Sequence, residues 1–253
     1  MQVYHMNGAG NDFAVIDARG LTLDFSALAK QLCAQTGADG FMAVDDATDG
    51  DFTLHFYNPD GSRGEMCGNG ARCICRFAYD QGIAGEKMTV HTDAGLVYGW
   101  RLNENIYRVQ LNEPSILDLH RTEDAAYVEL GNPGIPHAIV ELPGLTHDIT
   151  AALLPQAKSL RYDPRFPKGV NITFFTHLSP GEVRVLTYER GVEDYTLACG
   201  TGCASLAVVL AARNQLSGKQ LLCHNPGGDL KITLEGSSLY LEGPTEYLTT
   251  FNM

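Results

Sequence analysis

No stretch of this sequence approaches the ~18 consecutive apolar residues that a membrane-spanning helix needs. Its start, Met1 running straight into Val3-Tyr4-His5, has neither a basic lead nor a long apolar core. A cytoplasmic chain is expected. Positive charge is scarce: 18 Lys and Arg stand against 30 Asp and Glu, a net charge of −12, with no basic patch. Such a surface repels phosphate backbones and anionic lipid, which argues against nucleic acid and membranes as partners. There is no Walker loop, no G-x-G-x-x-G after a strand, and no lysine in a Schiff-base setting, so no cofactor is expected. The eight histidines lack H-E-x-x-H or comparable spacing, and His5 and His137 read as structural.

The seven cysteines are an odd number, which argues against a disulfide framework and for reduced thiols. Paired C-x-x-C spacing is missing too, and only Cys199 and Cys203, four apart, could chelate together, so no metal site is expected. Cys33 and Cys223 stand alone, whereas Cys67, Cys73 and Cys75 form one cluster and Cys199 and Cys203 another.

What is present is a core and a repeat. With 253 residues and 44% hydrophobic composition the chain can bury one large core or two of ordinary size. Residues 67–71 read CGNGA and residues 199–203 read CGTGC, each followed by small and apolar residues. Upstream, Phe56-Tyr57-Asn58 is echoed by Thr187-Tyr188-Glu189, and GNDFAVI at 10–16 by GIPHAIV at 134–140. Three echoes in one order indicate a duplicated unit with one Cys-Gly loop per copy.

Thr53–Tyr57 alternates like a strand, and Asn58-Pro59-Asp60-Gly61 has turn chemistry. Ala71–Tyr79, ending near Gly82, and Ala204–Asn214 suit helices. Short β-rich runs recur at Met88–Thr92, Val97–Leu102, Tyr107–Leu111, Tyr127–Leu130, Ala138–Leu142, Ile172–Thr176, Val183–Tyr188, Leu230–Leu234 and Leu239–Leu241. Many short strands with one central helix per half describe an α+β architecture of two pseudo-equivalent domains with a cleft between them.

A cysteine just before a helix meets unsatisfied N–H groups and the positive end of the helix dipole, which predicts a thiol pKa falling toward neutrality. Gly68, Gly70, Gly200 and Gly202 would let a small anion such as a carboxylate approach those N–H groups. If both loops face one cleft, two opposed sulfurs suit stereoinversion, which takes a proton from one face of a carbon and returns one to the other. Cys73, Cys75, Cys203, Cys33 and Cys223 read as core residues.

These motifs resemble the diaminopimelate epimerases, within the wider group that includes proline and histidine racemases. The similarity runs over nearly the whole chain: HMNGAGNDFAVID at 5–17, FYNPDGSRGEMCGNGARC at 56–73, FPKGVNITF at 166–174, YERGVEDYTLACGTGCASLA at 188–207 and LYLEGP at 239–244. The resemblance implies two pseudo-symmetric domains, each a curved or barrel-like β-sheet around a central helix. We place an N-terminal half at 1–114, to which 246–253 is a candidate return segment, and a C-terminal half at 115–245. It further implies a cofactor-independent homodimer that interconverts LL- and meso-diaminopimelate for lysine and cell-wall synthesis.

By the same resemblance, Cys67 and Cys199 match the catalytic pair. Gly68, Asn69, Gly200 and Thr201 match the amides that hold the reacting carboxylate, and Asn11 an asparagine of the substrate site. Asn58, Asn171, Glu189 and Arg190 match residues that recognise the distal amino-acid head, where an arginine fork suits a carboxylate and a glutamate an ammonium group. One position departs from the pattern. Many members carry G-N-P-H, whereas this chain reads Gly134-Ile135-Pro136-His137, with Asn132 slightly upstream. Ile135 donates no side-chain hydrogen bond, which leaves a histidine racemase or a broader amino-acid racemase as the alternative. A thiol sensor that forms a Cys67–Cys199 disulfide is the alternative outside enzymes; exchange of a substrate α-proton with solvent separates the two.

Overall fold

The computed structural model describes residues 1–64 and 67–253, so Glu65 and Met66 of the first cysteine motif lie outside the described residues. The chain divides into two compact units, Met1–Gln110 with Glu242–Met253, and Leu111–Leu241. The first contains β1 (Gln2–Gly8), β2 (Asn11–Asp17), α1 (Phe25–Thr36), β3 (Gly40–Asp45), β4 (Phe52–Tyr57), α2 (Gly68–Asp80), β5 (Lys87–Thr92), β6 (Gly95–Arg101) and most of β7 (Ile106–Leu111). In the second come β8 (Pro114–Asp118), β9 (Ala125–Leu130), β10 (Ile135–Glu141), α3 (Thr150–Arg161), β11 (Asn171–Ser179), β12 (Glu182–Glu189), β13 (Asp194–Thr196), α4 (Gly200–Ala212), β14 (Gln220–Asn225), β15 (Gly228–Glu235) and the start of β16 (Ser238–Pro244). The final strand, β17 (Glu246–Asn252), pairs antiparallel with β1 in the first unit.

The pairing pattern repeats. In the first unit β1–β2 is antiparallel, β2–β3 parallel, β3–β4 antiparallel, β4–β5 parallel and β5–β6 antiparallel. In the second, β9–β10, β10–β11, β11–β12, β12–β14 and β14–β15 follow the same alternation, with β13 added on β12. The sequence echoes fall on equivalent elements: GNDFAVI on β2 and GIPHAIV on β10, Tyr57 on β4 and Tyr188 on β12, and the Cys-Gly motifs at the starts of α2 and α4. Many short strands around a central helix per unit make this the expected α+β fold.

The inner strands are apolar on both faces, and the reason is a second helix per unit. Phe13, Ala14, Val15 and Ile16 of β2 are all buried, as are Phe41, Met42, Ala43 and Val44 of β3. Ala14, Ile16, Phe41 and Ala43 join Ala29, Leu32 and Cys33 of α1 in one core cluster, while α2 packs on β1, β2, β3 and β6. A strand covered on both sides loses its alternation and becomes a continuous apolar run. The second unit repeats this: Ala138, Val140, Ile172 and Phe174 pack with Leu153 and Ala157 of α3, and α4 lies on β8, β9, β10, β11, β14 and β15. Beside the one central helix expected per half, each unit carries a second helix, α1 or α3, on the other face of those strands.

Candidate functional site

Both central helices start earlier than their apolar runs suggest. They begin at Gly68 and Gly200, so Cys67 and Cys199 are the N-cap residues themselves, in extended conformations (φ −98, ψ 135 and φ −122, ψ 104). The first ladder bonds run from Ala71 N to Cys67 O at 2.8 Å and from Cys203 N to Cys199 O at 3.0 Å. The amides of Gly68, Asn69, Gly200 and Thr201 therefore precede the helical ladders, where they can receive an anion. Cysteine is not a favoured capping residue; the fold caps α1 with Asp24, whose carboxylate accepts from Ala27 N at 3.0 Å. Cysteines at two equivalent helix starts point to their sulfur chemistry instead.

In the first unit a directional relay fixes the Asn69 side chain. Fully buried Arg72 donates through Nη1 to Asn69 Oδ1 at 3.0 Å and to Gly68 O at 3.4 Å. Asn69 Nδ2 donates to Asn11 Oδ1 at 2.6 Å, and Asn11 Nδ2 donates to Asp39 Oδ2 at 3.2 Å. A cation at one end and a carboxylate at the other set which way both amides point. Asn58 opens the turn before the motif, with Gly61 N donating to its carbonyl at 2.9 Å and its own Nδ2 donating to Ser62 Oγ at 3.0 Å.

In the second unit the network runs out from Cys199. Its Sγ lies 3.5 Å from Thr201 Oγ1, which lies 3.0 Å from His137 Nε2. Behind the imidazole, Thr173 Oγ1 is 3.5 Å from His137 Nδ1 and 3.3 Å from Thr187 Oγ1. A side chain at Gly202 would not fit among these groups: its Cβ would stand 2.7 Å from Thr173 Oγ1 and 3.1 Å from Thr187 Oγ1. Next to His137 across the β10–β11 pair lies Asn171. Its Nδ2 donates to Pro136 O at 3.1 Å, and its Oδ1 accepts from Arg190 N at 2.8 Å. Arg190 Nη1 donates to Lys168 O at 2.7 Å, and Glu189 Oε1 accepts from Thr196 Oγ1 at 2.6 Å.

The expectation of a lowered thiol pKa is overturned for Cys199. Burial pushes this thiol well above its ordinary range, and the Glu189 carboxylate pushes it further. The Thr201 hydroxyl and the Gly202 amide pull the other way and lose. The helix start supplies donors, but a cysteine only 6% exposed lacks the water that would stabilise its thiolate. At neutral pH Cys199 is therefore a thiol. Below a raised pKa the thiolate fraction grows about tenfold per pH unit, so iodoacetamide labelling of Cys199, followed by peptide mass spectrometry, should accelerate steadily from pH 7 to 9. A rate already on its plateau at pH 7 would contradict this assignment. His137 behaves oppositely: burial, then the Arg190 charge, drops it to about 3, so the ring is neutral.

Cys67, Gly68, Asn69 and Asn11 thus come together in the first unit, and Cys199, Gly200, Thr201, Asn171, Glu189 and Arg190 in the second. The other five cysteines are buried; those in α1 and α2 are pushed up, Cys33 to about 11 and Cys73 and Cys75 to about 12. Arg72, to which the motifs assign no role, orients Asn69. His137, read as structural, lies one hydroxyl away from Cys199. Its place immediately after Pro136 in the second repeat copy was the available signal.

The model of the diaminopimelate epimerase family matches residues 3–116 and 130–248. A diaminopimelate epimerase from Hydrogenobaculum sp. is 35% identical over 277 aligned positions, covering 97% of this chain and 95% of the relative. One from Aquifex aeolicus is 36% identical, with 83% and 81% covered. Among solved structures, a phenazine biosynthesis protein of the PhzF family from Bacillus anthracis superimposes with a TM-score of 0.74 at 13% identity, covering 99% of this chain and 98% of that one. At that identity it shows the shared fold.

Proposed function

The chain belongs to the diaminopimelate epimerase family, and from that membership we propose that Cys67 and Cys199 are the acid and base with which this isomerase inverts the α-carbon of LL-diaminopimelate to give the meso form. The observation that carries this is the matched pair of cysteines, each the N-cap of a glycine-opened helix at the equivalent point of its unit. One thiolate removes the α-proton while the other sulfur, as thiol, returns a proton to the opposite face; the roles exchange in the reverse direction. Charge developing on the substrate carboxylate is taken up by the amides of Gly68, Asn69, Gly200 and Thr201, donors that need no reorganisation. Asn11, oriented by Asn69, completes this end. Asn58, Asn171, Glu189 and Arg190 hold the distal head, with Arg190 on its carboxylate and Glu189 on its ammonium. Two sulfurs and two helix starts supply the acid, the base and the charge stabilisation, so the reading asks for no cofactor; it makes the protein a cytoplasmic homodimer.

Reduced protein in deuterated water is expected to wash solvent deuterium into the α-position of diaminopimelate and to interconvert its LL and meso forms. A thiol that only senses oxidants would leave the amino acid unlabelled, and that result would sink the reading. Ile135, at the place of a substrate-contacting asparagine in many members, supports histidine or a wider set of amino acids as the second reading. Faster exchange into histidine than into diaminopimelate in the same assay would favour it.

A further inference from the structure

We propose that Glu129 and Lys168 form a latch that positions Arg190, and that through it they set the preference for a substrate with a distal carboxylate; this rests on the reading that Arg190 binds that carboxylate. Glu129, on β9, is only 3% exposed, a rare setting for a carboxylate without partners. Both of its oxygens are taken: Oε1 accepts from Tyr127 Oη at 2.5 Å and from Lys168 Nζ at 3.1 Å, and Oε2 accepts from Lys168 Nζ at 2.8 Å. Gly134, in the turn between β9 and β10, makes room for it, because a Cβ there would stand 2.5 Å from Oε2. The ion pair and the tyrosine together hold the carboxyl below its ordinary range despite burial.

Lys168 lies in the strap between α3 and β11, and this strap is fastened to β9 and to the loop that precedes it. Arg121 Nη1 donates to Arg165 O at 3.4 Å and stacks over the Tyr127 ring at 4.5 Å. Phe166 packs on Tyr127 with ring centroids 5.6 Å apart. Lys168 then grips Glu129. Arg190 is held on the backbone of the strap: its guanidinium donates to the Lys168 carbonyl at 2.7 Å, and its backbone N–H donates to Asn171 Oδ1, three residues beyond Lys168. The residue whose side chain is anchored on Glu129 is therefore the one whose carbonyl anchors the guanidinium. Ile135 offers the distal head no polar side chain, and a fixed guanidinium supplies the directional contact at that end. Glu129 and Lys168 are positioning residues, since both act through Arg190.

The test is Glu129→Gln in the full-length protein, a change that leaves no buried charge behind and keeps an oxygen for Tyr127. The KM for diaminopimelate is expected to rise about tenfold, the scale of a guanidinium displaced by a fraction of an ångström, with kcat within about twofold. Lys168→Gln should act in the same direction. In the double variant, where two neutral amides can pair, KM should rise by less than the product of the two single effects. An unchanged KM in Glu129→Gln, a loss confined to kcat, or multiplicative effects in the double variant would each overturn the latch while leaving the epimerase reading intact. Failure of the unaltered protein to exchange the α-proton would instead overturn the reading beneath it.

Discussion

Serine at position 67 or 199 is expected to cut turnover by about three orders of magnitude, the middle of the range for removing one general acid or base. The substitution changes one atom, and the hydroxyl is a far weaker acid than the thiol. It can neither become the base at neutral pH nor return a proton as readily from the other face. Loss of folding would not explain the result. At position 199 the new hydroxyl keeps a neighbour in Thr201 Oγ1, now 3.5 Å from the sulfur, so the midpoint of urea unfolding should stay close to that of the parent. Cys33→Ala, in the α1 core, is the control and should leave turnover unchanged. Near-normal epimerisation by either serine variant would remove the two-thiol assignment altogether.

The parts of this site that could be read from sequence are those encoded locally. The Cys-Gly motifs, the Asn58–Gly61 turn and the alternating strands are short-range patterns, and duplication displayed most of them twice. The helices α1 and α3 escaped for different reasons. For α1 the signals existed: Asp24 caps its start, and Gly37, at φ 75, closes its end by donating to Cys33 O. Its buried face, however, is only Ala29, Leu32 and Cys33, too narrow to stand out as an apolar stripe. In α3, Ile149 caps without a side-chain bond and Pro155 sits inside, so it carries neither a start signal nor an unbroken helical composition.

The rest of the site depends on contacts between distant segments. Arg72 reaches Asp39 only by way of Asn69 and Asn11, and Glu129 meets Lys168 only once β9 and the strap are side by side. At Cys199 burial outweighs the helix start. The favourable donors are local and visible in CGTGC, whereas the burial of Cys199 is a property of the folded chain that no local motif displays. Where a thiol is enclosed, the missing water outweighs two donors.

Arg190→Met should produce the largest effect on substrate recognition. The methionine keeps much of the aliphatic stem and removes the planar fork, so a distal carboxylate entering the site would be desolvated without its partner. Truncating one side of such a charged pair costs about 2–5 kcal/mol, and the middle of that range corresponds to a fall of two to three orders of magnitude in kcat/KM at 1.4 kcal/mol per factor of ten. Most of this should appear in KM, because the distal head is equally charged in the ground and transition states. The turn itself should survive, since the bond from the backbone N–H of residue 190 to Asn171 Oδ1 does not involve the guanidinium. Arg190→Lys should fall between the two: an ammonium keeps the charge but cannot grip a carboxylate with two parallel bonds while also donating to Lys168 O as Arg190 does. Steady-state kinetics on LL-diaminopimelate decide the matter. An unchanged KM in Arg190→Met would mean that the distal carboxylate is held elsewhere, and an equal loss for Arg190→Lys and Arg190→Met would mean that fork geometry matters more than charge.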